Sequence, residues 1–188
     1  MNIEINRDIV IFDKLLKNGG LTTPKAIDED VFAFCRYVQS QEKPLYLPVK
    51  PFLWSRVNCC DLNVQKVVND NGGEKVYGFK IWSIPKMYIE ADLHCVWKEP
   101  RGNFIDITPN VDGEEKILFL PDPELTTVRL ARKGEKPRLA LRDSLIDFVD
   151  LKREQEMAVG FVYSPDEVMW KDNISYKRLK KKINKARK

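Results

Sequence analysis

The chain of 188 residues has a single histidine, His94, so any imidazole chemistry must run through that one side chain. It has four cysteines (Cys35, Cys59, Cys60 and Cys95) but no Cys-x-x-Cys pair, which excludes a zinc ribbon or a thioredoxin-type motif. Apolar runs such as Ile9 to Phe12 and Ile117 to Leu120 fall far below the ~20 residues a membrane helix needs, so no membrane partner is expected. The N-terminus has no basic stretch leading into an apolar one, as a secretory signal would. Without an export signal, reduced thiols and a cytoplasmic location are the expectation. Gly72-Gly73 is too short for a phosphate loop and reads as a turn; there is no internal repeat.

Hydrophobic residues make up 43% of the chain and charged residues 32%, a balance that suits one well-buried core rather than disorder. The net charge of +4 is unevenly spread: residues 171–188 contain nine Lys or Arg and only Asp172. The expected division is therefore a globular domain over 1–170 and a basic amphipathic tail over 171–188, with Tyr176, Leu179, Ile183 and Ala186 on the tail's apolar side. Such a tail is either a solvated helix or a surface for nucleic acid or an acidic partner.

Periodicity places a helix over about Asp8 to Asn18, stopped by Gly19. A second, with Thr23-Pro24 as its cap and first residue, carries the core stripe Val31, Phe34, Cys35 and Val38. Prolines 44, 48 and 51 imply an extended, turn-rich connection. A short helix over about Cys59 to Asn69 follows, with Asn58 as N-cap. Strands are expected over Lys75 to Ile84, Met87 to Lys98, Asn103 to Thr108 and Lys116 to Leu120. Helices return with Leu145, Phe148 and Val149, and again after Ser164-Pro165-Asp166-Glu167, which has the form of a capping box. The class is α+β.

Alternation along the second strand puts Glu90, Asp92, His94 and Val96 on one face and Ile89, Ala91, Leu93, Cys95 and Trp97 on the other. A five-residue loop over Lys98 to Gly102 would set Trp97 opposite Asn103 and His94 opposite Asp106, close enough for imidazole and carboxylate to meet. A one-residue slip would put Asp106 on the wrong face. At the helix start Cys59 and Cys60 feel the helix dipole, which favours a thiolate. Cys60 shares its helical face with Val64, Val67 and Val68, the side turned to the protein body, and is preferred over Cys59.

Helix-borne cysteine, a strand with histidine, then a strand with aspartate resembles the chain order of the transglutaminase-like branch of papain-like proteins. His94-x-x-Trp97, a turn with Gly102, and Asp106-x-Thr108-Pro109 are similar to that family's His-x-Trp and Asp-x-Thr-Pro elements. The His-to-Trp spacing is one residue longer, and the interval from Cys60 to His94 is short. Asn63-Val64, Gly72-Gly73, Gly78-Phe79-x-Ile81-Trp82 and Ile89-Glu90-Ala91 also resemble a group of bacterial proteins with unassigned activity. The first resemblance implies a papain-like core of a helix packed on an antiparallel sheet, flanked by N- and C-terminal helices. It implies Cys60 as nucleophile, His94 as general base and Asp106 as orienting acid.

The expected function is a cysteine-dependent hydrolase or acyl-transferase for an amide, ester or thioester, with a peptide, protein or small acyl substrate and no cofactor. Asn58, Cys59 and Trp97 would supply an oxyanion contact or site wall. Glu90 and Asp92 are either substrate contacts or solvated strand positions. Two other readings compete. One is a non-catalytic binding module with a degenerate papain-like fold, its tail binding nucleic acid or an acidic partner. The other is a zinc site of Cys59, Cys60, His94 and Asp106 or Asp92, which adjacent cysteines disfavour because they rarely reach one tetrahedral ion.

Overall fold

A computed structural model describes residues 6–126, 136–159 and 165–186. The chain opens with α1 (Arg7–Lys17) and α2 (Glu29–Val38). The Asn6 carboxamide accepts from the backbone of Asp8 and Ile9 to start α1, and Asn18 ends it. The start of α2 differs from the expected Thr23-Pro24: Asp28 is the cap, its side chain accepting from the Val31 N–H. Thr23 is engaged elsewhere, donating from its backbone and hydroxyl to Glu114, and so does not nucleate a helix. Val31, Phe34, Cys35 and Val38 are all buried, as the 3.6-residue stripe requires.

The proline-rich connection contains a strand, β1 (Leu45–Pro48), paired with the later β5 (Lys116–Pro121). Then come α3 (Cys60–Asn71), β2 (Glu74–Ile84), β3 (Tyr88–Lys98) and β4 (Phe104–Ile105). β6 (Arg138–Ala140), a 3-10 turn at Asp143–Leu145, α4 (Ile146–Val159), α5 (Asp166–Asp172) and α6 (Tyr176–Ala186) complete the order. The sheet is antiparallel in the order β1-β5-β2-β3-β4, with β6 also on β3. The fold is α+β. Ser164 of the proposed capping box lies outside the described residues, and α5 starts at Asp166 with Pro165 as its cap.

Two buried clusters line one sheet face. α2 packs against Phe79, Ile81, Ala91, Leu118 and Leu120, and α3 places Val64 and Val67 against Cys95, Trp97 and Ile107. Each large aliphatic side chain so buried stabilises the fold by roughly 1.5–3 kcal/mol. Val96, on the other side of β3, packs with Leu47, Ile117 and Phe119. Both faces of the central strands are therefore covered, which explains the continuous apolar runs in β5.

The β3–β4 register corrects the expected one. Trp97 pairs with Ile105 and Lys98 with Phe104, two residues along from the expected pairing of Trp97 with Asn103. The cause is a tighter turn. Gly102 takes φ +92°, its N–H donates to the Glu99 carbonyl at 2.8 Å, and the Glu99 N–H donates to the Asn103 carbonyl at 3.0 Å. That leaves Pro100, Arg101 and Gly102 as the loop, the form in which a type I turn is followed by a left-handed glycine. An even shift preserves the faces, so Asp106 stays on the side of His94.

β2 pairs with β3 along its whole length, so β4 and β6 share the opposite edge of β3. β6 covers Tyr88 to Glu90 and β4 covers Trp97 and Lys98. His94 lies in the interval between them. Directly across from it on β2 stands Gly78, where a Cβ would meet the Leu120 carbonyl oxygen at 2.2 Å. Gly78 is thus fixed by the close approach of β5 to β2. Gly78→Ala should cost about 2–3 kcal/mol of stability by overpacking, read as a lowered urea midpoint; an unchanged midpoint would mean that β5 can move away freely.

Candidate functional site

Cys60 is the first residue of α3, and its cap is Cys59 rather than the expected Asn58. Asn58 takes the left-handed φ of +57°, a conformation asparagine tolerates better than most residues, and turns the chain into the helix. The Cys59 side chain makes no capping hydrogen bond. The first turn of α3 therefore has no side-chain acceptor from its cap.

The two adjacent thiols have different surroundings. Cys59 is buried, its sulfur 3.5 Å from the Met169 carbonyl oxygen, and burial pushes its pKa up to about 11. Burial likewise holds Cys35 up at about 12 and raises Cys95 strongly. Cys60 is partly exposed and packs beside the cluster of Val64, Val67, Cys95 and Trp97.

His94 is 8% exposed and Asp106 is fully buried. His94 Nε2 lies 3.2 Å from Asp106 Oδ2, but the approach is off the N–H direction, so the contact is electrostatic rather than an aligned hydrogen bond. Burial alone would pull the histidine pKa down. The charge of Asp106, the contact with it and a side-chain interaction with Cys60 outweigh that, and the pKa rises from 6.5 to about 10. The structure thus brings His94 and Asp106 into contact, with Cys60 close enough to act on the ring's proton affinity, although Asp106 reaches the ring diagonally and from beyond the end of β4.

Asp106 leaves the β4 ladder because its backbone is taken by another segment. Its N–H donates to the Pro48 carbonyl and its own carbonyl accepts from the Lys50 N–H. Its second carboxylate oxygen, Oδ1, accepts from the Thr108 N–H at 2.8 Å, a local turn typical of aspartate. The Thr108 hydroxyl in turn accepts from Asn63 Nδ2 at 3.3 Å. Asn63 is fully buried, and its amide also accepts from the Arg56 N–H and donates to the Arg56 carbonyl, each at 2.8 Å. One asparagine, a turn of helix beyond Cys60, therefore joins the loop before Cys60 to the Asp106–Thr108 turn. The sequence did hold a signal for it: an amide on the same stripe as Val64 and Val67, where the core should be apolar.

The remaining candidates lie outside this contact. Trp97 donates from its indole to the Gly72 carbonyl at 3.0 Å, closing the α3–β2 turn. Glu90 is not solvated as one expectation had it. It is buried, accepts from the Tyr88 hydroxyl at 2.6 Å and from Lys136 at 2.7 Å, and lies 3.8 Å from Arg138. Asp92 is more exposed and pairs with Lys136 at 2.6 Å. Among the described residues no three metal-ligating side chains are gathered as a metal site, and no helix is long and apolar enough to cross a membrane.

Two groups near the site escaped the sequence reading. Asp61, next to Cys60, accepts from the Tyr77 hydroxyl at 2.7 Å and Lys75 at 2.9 Å. Lys80 is buried with its ammonium 2.7 Å from Asn110 Oδ1 and 3.8 Å from the Trp82 ring centre. Burial lowers its pKa against the opposing charge of Asp106. Compared with family models, curated proteins and solved structures, the chain matches none.

The raised His94 pKa has a sign for stability. Between the unfolded value of 6.5 and about 10 the folded state holds a proton the unfolded state has lost. The contribution is complete below pH 6.5 and disappears as pH rises through 10. The stability difference between the native chain and His94→Gln should therefore be largest at acid pH and shrink towards pH 10; denaturant midpoints across that range check it, and a difference growing with pH would contradict it. Separately, Asn63→Ala should cost about 2–3 kcal/mol because it strands the buried Arg56 and Thr108 groups, as measured by the shift in unfolding midpoint.

Proposed function

We propose that the protein is a cysteine-dependent hydrolase or acyl-transferase acting on an amide, ester or thioester carbonyl. The observation that carries this reading is a buried histidine coupled both to a buried aspartate and to the one thiol of this group that is partly exposed. A papain-like, transglutaminase-like core is the fold proposal that goes with it. A histidine that readily holds a proton, beside a thiol at a helix N-terminus, places a proton donor next to the nucleophile that such a site uses.

In this mechanism the Cys60 thiolate attacks the carbonyl carbon and the carbonyl electron pair moves to oxygen. The oxyanion is held by the Cys60 N–H and, in the simplest arrangement, by the Asn58 carboxamide. As the tetrahedral species collapses, the carbon–leaving-group bond breaks and His94 gives its proton to the departing atom. A thioester on Cys60 remains. His94 then takes a proton from water or from an acceptor nucleophile, which attacks the thioester and restores the thiol. Asp106 sets the ring orientation and stabilises its cation throughout.

Competitive alkylation with iodoacetamide, followed by peptide mass spectrometry, tests this. Cys60 should react at least ~10-fold faster than Cys35, Cys59 or Cys95 at neutral pH. His94→Ala should remove most of that advantage, and an activated thioester should give a stoichiometric acyl adduct on Cys60 alone. Equal labelling of all four thiols would sink the reading.

A further inference from the structure

α6 is joined to the loop that delivers Cys60. Arg56 and Ser175 form an antiparallel bridge. Around it the Tyr176 N–H donates to the Ser55 carbonyl at 2.8 Å, Lys177 N–H to the Leu53 carbonyl at 3.0 Å, and Val57 N–H to the Ile174 carbonyl at 3.2 Å. The Arg56 guanidinium donates to the Asn173 carbonyl at 2.6 Å. Through Asn173 to Lys177 the start of α6 is thus anchored within a few residues of Cys60.

The orientation of α6 is set by its apolar residues. Leu179 is buried, and Tyr176 and Ile183 are partly buried. Lys177, Arg178, Lys180, Lys181, Lys182 and Lys185 are exposed. No acidic residue lies in α6, and among the described residues none of these six cations makes an ion pair; Lys180 reaches the Tyr176 ring, 5.5 Å to its centre. A helix of this length runs about 16 Å. α6 therefore carries, starting beside the loop before Cys60, a strip of positive charge that makes no ion pair among the described residues.

We propose that this strip is the docking surface for an acidic polypeptide segment of the substrate, so that α6 selects protein or peptide substrates with acidic residues near the bond presented to Cys60. The substrate role rests on the reading of Cys60 as a nucleophile. An acidic peptide fits better than a nucleic acid for two reasons on the molecule itself. The attached site would act on an amide-type carbonyl, which a nucleic-acid backbone lacks. The strip is also lysine-rich with no exposed aromatic side chain on α6 for stacking bases. A membrane surface is disfavoured because the apolar side of α6 is already engaged by the fold.

The test uses the full chain and a fluorescein-labelled poly-glutamate peptide. Anisotropy should show binding that weakens as salt is raised towards roughly 0.3 M. Lys181→Glu combined with Lys182→Glu and Lys185→Glu should reduce affinity by about tenfold or more. The matching glutamine triple removes charge without adding repulsion and should give a smaller loss in the same direction. Iodoacetamide labelling of Cys60, a small neutral reaction, should be unchanged in both variants. A glutamate-rich peptide carrying an electrophile should label Cys60 faster than its serine counterpart, and the variants should lose that preference.

Unchanged peptide affinity in both triples, tighter binding of a single-stranded oligonucleotide than of the peptide, or equal labelling by the two electrophilic peptides overturns the proposal. If Cys60 shows no His94-dependent reactivity, the catalytic reading fails and takes the substrate role with it. Lost peptide selectivity with Cys60 still reactive overturns the docking surface alone.

Discussion

The amide of Asn63 is the interaction on which the site depends, because its hydrogen bonds reach both halves. A buried primary amide must satisfy its donors and acceptor or cost the fold their desolvation. Asn63 does so by clamping Arg56 through paired bonds and reaching the Thr108 hydroxyl. Those contacts fix the loop before Cys60 against the turn that starts at Asp106. Without them the cysteine helix and the aspartate segment would be joined mainly by apolar packing, which is non-directional.

Around that clamp, the position of His94 follows from the sheet. Its outer edge is covered at both ends, by β6 and by β4, and left uncovered by them between. The chain peels away at Asp106 because Pro48 and Lys50 take its backbone groups. That departure brings the carboxylate beside the ring while the next residue, Ile107, returns to the core under α3. Burial makes each charge expensive to isolate, so the Asp106 carboxylate and the His94 ring are most stable as a compensating pair. The same compensation raises the affinity of His94 for its proton.

The C-terminal segment links surface charge to this arrangement. It adds backbone bonds to the loop at Leu53 to Val57 and a carbonyl contact to Cys59. Cys59 is thereby buried and its thiol disfavoured as a thiolate, while its neighbour keeps partial exposure. The difference between two adjacent cysteines comes from where α5 and the Ser175 bridge lie.

The sequence by itself determined the elements whose signals are local. The stripe of α2, the alternation of β3 and the glycine turn before β4 follow from periods and backbone preferences that neighbours along the chain impose. It also put His94 and Asp106 on one face, since an even register error leaves a side chain on its face. What only the tertiary structure decided were contacts between segments distant in the chain: the burial of Glu90 against Lys136, the bond from Asn63 to Thr108, the diagonal approach of Asp106, and the anchoring of α6 beside the cysteine loop. Each is a polar group meeting a partner tens of residues away or more, or across strands, and no local period encodes such a meeting. It arises because packing the apolar faces buries these groups and leaves them to find partners inside the fold.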